Sequence, residues 1–385
     1  MASPFKDVVV LRPGDAEGNR MVVRVTTRDG TDIHAVAVPQ DRPSRTGPTW
    51  TYLVRQEGLT LIDAGAIGSF SYLADGVRQA GYEIGDIDRV IVTHGHADHD
   101  GAIAQLVEES GAALWAHEIY AHLLPYDRWE IQRRGSTIVQ HEMRKIIEAD
   151  LAGRDSRGPD EYAAQQREYL KTRRGLQVQH GIRDGETLGR LTFLHTPGHS
   201  PDEVCVSLDG MLFAGDHVLP EITPHPTTKV EYADEVKARL PVELQDSGDS
   251  YGLDTYLKSL KAITGLGADV GLLPAHRLFN RGRFNLQTVE RAGEVIQHHA
   301  RRLGRIIDKI GFHPVSLEEV TRGIFEHRRL IGGNFYMAVS EVVAHIELLQ
   351  GVGDVDVDGD GRLQCTGSEN YRQFIADLTR SQLGA

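Results

Sequence analysis

Six positions, His94-Gly95-His96-Ala97-Asp98-His99, hold three imidazoles and a carboxylate. They follow an apolar β-type run, Val90-Ile91-Val92, and precede a helical pattern, Ala102 to Val107. Polar side chains at this density weigh against a fold unless something binds them. Neutral imidazole nitrogens and an ionised carboxylate suit a borderline divalent metal such as zinc. His94 and His96 stand two apart, so an extended backbone points both to the same side. Asp98 and His99 follow where the chain turns and can face a second position beside the first. Four ligand-type residues so close together suggest two metals sharing one site.

Three more segments repeat one arrangement: an apolar strand, a turn, then a ligand-type residue. Thr196-Pro197-Gly198-His199-Ser200 offers His199, Ala214-Gly215-Asp216-His217 offers Asp216, and Leu272-Leu273-Pro274-Ala275-His276 offers His276. Ligands at the C-terminal ends of neighbouring strands converge at one edge of a sheet, where open α/β folds place their sites. The candidate set is His94, His96, Asp98, His99, His199, Asp216 and His276.

The order H-x-H-x-D-H, then G-H-S, then G-D, then P-x-H resembles the metallo-β-lactamase superfamily over roughly residues 20 to 285. That resemblance implies an αβ/βα sandwich with two divalent ions at the edge between two sheets. Zinc is the preferred metal; iron and manganese remain open. It implies that His94, His96 and His199 hold the first ion, that Asp98, His99 and His276 hold the second, and that Asp216 bridges them. Asp63, in Leu61-Ile62-Asp63-Ala64-Gly65, matches an aspartate that orients ligands in the family. The C-terminal part is similar to the lactamase-β-2-like subgroup, which adds a winged-helix-like tail to a glyoxalase-II-type core. One departure concerns the last ligand, where Pro274-Ala275-His276-Arg277 replaces the usual Pro-Gly-His-Gly. Arg277 is accordingly a candidate for binding an anionic substrate group.

Domain organisation follows from patterning. Residues 1–285 are expected to form the metallo-β-lactamase-fold domain, with a helical insertion or cap over 117–180. Residues 286–385 are expected to form a small winged-helix-like domain. Within the first part, Met21–Val25 and His34–Val38 read as strands turning at Asp29-Gly30. Thr51–Val54 and Thr60–Asp63 turn at Glu57-Gly58, and Val204–Leu208 and Met211–Ala214 turn at Asp209-Gly210. The 117–180 segment carries 11 Lys/Arg against 10 Asp/Glu, whereas the whole chain has a net charge of −13. Helical patterns at Val289–Ile310, Ser316–His327 and Met337–Gln350 precede two short strands joined by Asp358-Gly359-Asp360-Gly361. Asp354–Gly359 looks like the start of a calcium loop, but Cys365 occupies the twelfth position, so a solvated wing is expected. His117, His195, His217, His298 and His299 match no motif and read as core or surface histidines.

The charge opposes non-specific binding to nucleic acid or anionic membranes. Two distant cysteines, Cys205 and Cys365, exclude a disulfide framework. The opening residues lack the basic and apolar regions of a secretory signal, and no apolar run reaches a membrane span. A cytoplasmic enzyme acting on a small molecule, without nucleic acid or membrane partners and with scope for a homodimer, is expected. The expected reaction is hydrolysis of a thioester, ester or lactone by a hydroxide shared between the metals, with Asp98 holding the nucleophile. Two alternatives are an iron-dependent, sulfur dioxygenase-like oxidoreductase and a phosphodiesterase or nuclease. The last 100 residues, with 11 Lys/Arg against 14 Asp/Glu, offer little to phosphate.

Overall fold

The computed structural model describes residues 3–40, 44–127, 131, 137–152, 160–326, 330 and 334–380. The described chain divides into two compact units that interleave along the sequence. The first comprises 1–125, 160–224 and 263–292; the second comprises 126–159, 225–262 and 293–385.

The first unit contains two sheets. Eight strands, β1 (Phe5–Arg12), β2 (Val22–Thr27), β3 (Asp32–Val38), β4 (Thr49–Arg55), β5 (Leu59–Ile62), β6 (Ile87–Ile91), β7 (Ala113–His117) and β8 (His180–Ile182), pair in sequence order. Strands β1 to β5 run antiparallel, and β5 to β8 run parallel. The change of direction at β5 requires a crossover, supplied by the helix Phe70–Gln79. A second sheet has the order β13 (Gly271–Leu273), β12 (Met211–Phe213), β11 (Val204–Leu208), β10 (Leu191–His195) and β9 (Thr187–Leu188).

Alternation along the strands decides which side chain meets which layer. Val22, Val36, Leu53 and Leu61 pack on Phe70, Leu73, Val77, Ile103 and Leu106 of the covering helices. Their neighbours Val23, Ala35, Tyr52 and Ile62 face the other way, onto Phe193, Val206, Phe213 and Leu273 of the second sheet. The two faces of the first sheet are thus buried by different partners, and the centre of the sheet reads as continuously apolar. Turns close where expected: Gly30 and Gly58 have φ of +87° and +112°, and Asp209-Gly210 has +48° and +73°. Edge strand β1, with Val10 and Leu11 exposed, carries no period-2 alternation and has no counterpart in the sequence reading.

Helices follow the apolar spacing closely. Observed spans include Glu290–Ile310, Leu317–Ile324 and Asn334–Gly351. Ser316 caps the second of these in a reciprocal capping box with Glu319. The expected end of that helix at His327 lies outside the described residues. The terminal hairpin pairs the strands Val355–Val357 and Leu363–Cys365. One correction applies before it. Asp354 is fully buried, not solvated, because its carboxylate accepts the Asn370 and Tyr371 backbone N–H groups that open the helix Asn370–Thr379.

In the second unit a buried carboxylate ties three segments together. Glu347 accepts the Lys229 backbone N–H at 2.7 Å and the side-chain amide of Gln140, which also donates to the Lys229 carbonyl. Burial, only partly offset by these donors, pushes Glu347 up to about 7 from its ordinary 4.5. A raised folded-state pKa means that the folded protein binds the proton more tightly than the unfolded chain. The contribution is full below about pH 4.5 and is lost as pH rises through about 7. At ~1.4 kcal/mol per unit, ~3 kcal/mol is at stake. Denaturant unfolding of wild type and Glu347→Gln at pH 5 and pH 8 checks this: relative to wild type, the variant gains stability on going to pH 8.

Candidate metal centre

The site sits where strands of both sheets end. After β6 the chain passes through Thr93 into the His94–His99 loop; β10, β12 and β13 lead to His199, Asp216 and His276. The loop is held tightly by its own backbone. His99 N–H and Asp100 N–H both donate to the His96 carbonyl, and His99 C=O accepts from Ala64 N–H. Gly101 is required immediately afterwards. A Cβ there would stand 2.3 Å from the Ala97 carbonyl oxygen and from the Ile67 backbone nitrogen.

All seven candidate residues come together. His94, His96, His199 and Asp216 form one group, and Asp98, His99 and His276 form another, with the potential donor atoms of each group within 4.8 Å of one another. Asp216 joins the groups. Its Oδ1 lies 3.5 Å from His99 Nε2 and 3.4 Å from His276 Nε2, and its Oδ2 lies 3.6 Å from His199 Nε2. Asp98 Oδ2 is 3.3 Å from His276 Nε2, and His96 Nδ1 is 3.1 Å from His199 Nε2.

These spacings permit a test of metal fit. Bonds of about 2.0–2.2 Å in a tetrahedron put neighbouring donor atoms about 3.3–3.6 Å apart. Among the described residues, His99 Nε2, His276 Nε2 and Asp216 Oδ1 are buried and have no hydrogen-bond partner. Buried polar atoms left this way are destabilising unless a further group satisfies them. The nitrogen and carboxylate set, the spacing and the orphaned atoms all fit divalent ions.

The opposite ring nitrogens are already committed. His99 Nδ1 faces Asp63 Oδ2 at 2.8 Å, and His276 Nδ1 faces the Pro48 carbonyl at 3.0 Å. His94 Nδ1 has Thr93 Oγ1 at 3.1 Å and Glu203 Oε2 at 3.4 Å. Acceptors on the far side of an imidazole fix its tautomer and aim its other nitrogen inward. Asp63 also accepts Thr93 N–H and Thr93 Oγ1–H at 2.8 Å each, from a backbone with φ of +58°. The aspartate singled out in the sequence therefore buttresses the loop and its second-group histidine together.

Charge in the site is concentrated. Burial pushes the Asp98 and Asp216 carboxyls up, but the adjoining histidines outweigh it and hold both below the usual carboxylate range. Burial pushes His99 down, and Asp63, Asp216 and Asp98 more than reverse this, so it sits well above an ordinary histidine. The carboxylates thus draw positive charge to the imidazole nitrogens, charge that bound cations would supply in place of protons. Asp98, the most open carboxylate of the set, has a side chain 31% exposed and accepts from Gln40 Nε2 at 3.3 Å.

Other expectations resolve as follows. Arg277 has φ of +65°, in the left-handed region that favours glycine, which accounts for the glycine usual at this position of the motif. Its guanidinium donates to the Arg45 carbonyl. His117 and His195 stack face to face, centroids 3.8 Å apart, and burial pushes His117 down to about 3. His217 is buried, as is His299, whose Nδ1 pairs with His345 Nε2 at 3.0 Å in the second unit. Buried charged residues beside the site, Asp100, Arg173, Asp202 and Glu203, lie outside the sequence reading. Glu203 accepts the Asp216 N–H at 3.0 Å, and Asp202 accepts the Gly95 N–H at 2.9 Å. A signal is present, since Asp202-Glu203 abuts the fully apolar start of β11.

Residues 44–276 match the metallo-beta-lactamase superfamily. The chain belongs to that superfamily. It is 22% identical over 329 residues to the Bacillus subtilis (strain 168) protein named "Probable metallo-hydrolase YqjP", covering 83% of this chain and 92% of that protein. It is 27% identical over 172 residues to the uncharacterized protein YobT of the same organism, covering 44% of this chain and 61% of YobT. A solved metallo-beta-lactamase family protein from Thermus thermophilus superposes with a TM-score of 0.58 at 22% identity, over 86% of this chain and 98% of that one. A beta-lactamase domain protein from Burkholderia ambifaria gives 0.59 at 22% identity, over 87% and 91%. Both share the fold. The chain thus belongs to a metallo-hydrolase superfamily and carries the His/Asp cluster described above. No described helix is long and apolar enough to cross a membrane.

Proposed function

We propose that this protein is a metal-dependent hydrolase of small acyl compounds: thioesters, esters or lactones. The observation that carries the proposal is the convergence of seven donor side chains into two groups joined by Asp216. In this reading His94, His96 and His199 hold one ion, Asp98, His99 and His276 hold the other, and Asp216 is shared. Two divalent ions, zinc by preference, would supply a nucleophilic hydroxide at neutral pH and polarise the acyl oxygen.

The chain's own residues supply the rest. Asp98, open to solvent and ionised, would accept a hydrogen bond from the hydroxide as it adds to the carbonyl carbon; the bond to the thiol or alcohol then breaks, and the departing sulfur or oxygen takes the proton that the hydroxide brought. Asp63, the Pro48 carbonyl and Thr93 Oγ1 keep His99, His276 and His94 from turning. Arg277, whose bond to the Arg45 carbonyl already orients the guanidinium, is the candidate for an anionic substrate group.

Metal analysis of the purified protein, followed by assays on thioesters, lactones and phosphodiesters, tests the proposal. Two ions per chain and acyl hydrolysis that disappears on chelation and returns on zinc addition are expected. Undiminished hydrolysis by metal-stripped protein would overturn it. Iron content with oxygen consumption would assign a redox reaction instead, and turnover of phosphodiesters alone would assign a nuclease-type one.

A further inference from the structure

Behind the metal loop lies a buried polar cluster that the proposed chemistry does not use. Asp100, immediately after His99, is 2% exposed and accepts hydrogen bonds from two tyrosines and an arginine. Tyr169 Oη donates to Oδ1 at 2.5 Å, Tyr120 Oη donates to Oδ2 at 3.0 Å, and Arg173 Nε donates to Oδ2 at 3.0 Å. Tyr169 and Arg173 lie one turn apart on the helix Asp160–Arg174, so one helix face presents both. Tyr120 comes from the helix Glu118–Leu123.

The same guanidinium reaches the other end of the loop. A Cβ built on Gly95, between His94 and His96, would stand 2.7 Å from Arg173 Nη2 and 3.1 Å from Asp202 Oδ2. Asp202 in turn accepts the Gly95 N–H. Arg173 Nη1 donates to the Leu124 carbonyl at 3.4 Å, and its Cζ lies 5.1 Å over the Tyr120 ring. One side chain, 5% exposed, therefore bonds the loop at Asp100 and fills the space where a Cβ of Gly95 would stand, at the two ends of the segment that carries His96, Asp98 and His99.

We propose that Arg173 is a positioning residue that sets metal affinity from outside the ligand set, by fixing the backbone between Gly95 and Asp100. The inference rests on the functional reading above, because it concerns how firmly the proposed ligands are held. Its physical basis is directional. Arg173 cannot touch a metal bound by these ligands, but the fork of its guanidinium ties Asp100 to the Leu124 carbonyl while its remaining nitrogen backs Gly95, which an ammonium cannot do. Without it the loop keeps its own turns and loses its backing, so the ligands converge less often. Groups that orient ligands in this way change metal affinity about 10–100-fold when removed.

Removing one partner of a buried ion pair strands the other charge, so Arg173→Met alone can weaken the fold. The test therefore compares wild type, Arg173→Lys, Arg173→Ala and the charge-balanced double variant Asp100→Asn/Arg173→Met. Two quantities are measured for each: melting temperature of the metal-free protein, and zinc affinity by competition with a chromogenic chelator. The double variant is expected to melt near wild type in the metal-free form and to bind zinc about 10–100-fold more weakly. Arg173→Lys is expected to recover only part of that loss.

A cavity of about 250 Å3 lined by Asp100, Tyr169, Thr172 and Arg173 opens on this cluster. Methylguanidinium at millimolar concentration should therefore enter Arg173→Ala and tighten its zinc binding. Zinc affinity equal to wild type in a folded double variant would overturn the inference and leave the hydrolase reading intact. A wild-type protein that takes up no zinc, iron or manganese would remove both.

Discussion

Asp216→Asn is expected to leave a folded protein that binds at most one metal ion and hydrolyses its substrate about a thousandfold more slowly. The expectation follows from where the two carboxylate oxygens point. Oδ1 faces His99 and His276, and Oδ2 faces His199, all between 3.4 and 3.6 Å. Among the described residues, no other side chain approaches donors of both groups through separate oxygens. An asparagine keeps the shape, but it removes the negative charge and turns an N–H toward an imidazole lone pair. A factor of a thousand is about 4 kcal/mol of barrier, the scale lost when one preorganised electrostatic contact to a transition state is removed. The backbone should tolerate the change, since the Asp216 N–H keeps its bond to Glu203. Metal stoichiometry and kcat/KM, measured on the same preparation, decide the matter; two tightly bound ions with wild-type turnover would refute the bridging role.

Asp63→Ala is expected to destabilise the metal-free first unit by ~3–5 kcal/mol. Three buried donors lose their acceptor: Thr93 N–H, Thr93 Oγ1–H and His99 Nδ1–H. Each buried group left unsatisfied costs about 1–3 kcal/mol, with some relaxation among three so close together. The left-handed backbone at φ +58° adds to the loss, because Asp and Asn tolerate it better than Ala. Asp63→Asn separates fold from function. It retains an acceptor and the backbone preference, so it should cost about 1–2 kcal/mol in stability. With its charge gone from His99 Nδ1, metal affinity should fall about 10–100-fold. Denaturant unfolding without metal and chelator competition with it give the two numbers. An alanine variant within ~1 kcal/mol of wild type would show that other acceptors replace Asp63.

The ligand-type residues are legible in one dimension because each sits at the end of a short apolar strand with a turn in between, a local pattern. His94, His96 and His99 are conspicuous through density, and His199, Asp216 and His276 through recurrence of strand, turn and polar residue. Strand β11 has the bounds expected from its apolar run, and the Asp29-Gly30 and Asp209-Gly210 turns are those that positive φ demands. What the sequence hides is non-local. Nothing around Asp100 announces that Tyr120, Tyr169 and Arg173 will meet on it. Glu347 on an apolar helix likewise gives no sign of its partner Gln140, remote in the chain. Such groups become recognisable only when burial is known, because the same residue types on an exposed helix face are unremarkable. Strand β1 is hidden for the opposite reason: an edge strand with one partner has no buried face to impose alternation.

The proposed ligands enter the chain in order, four within His94–His99 and the last at His276, with both sheets contributing strand ends. A nascent chain therefore exposes the densest part of the centre long before it can complete the cage. During that interval the loop is an open chelating peptide, able to seize whichever metal is most competitive and not the one the finished geometry prefers. The parallel pairing of β12 with β13 is the step that brings His276 beside Asp216. Until that pairing forms, the proposed donor set lacks His276, and no complete geometry exists to select one ion over another.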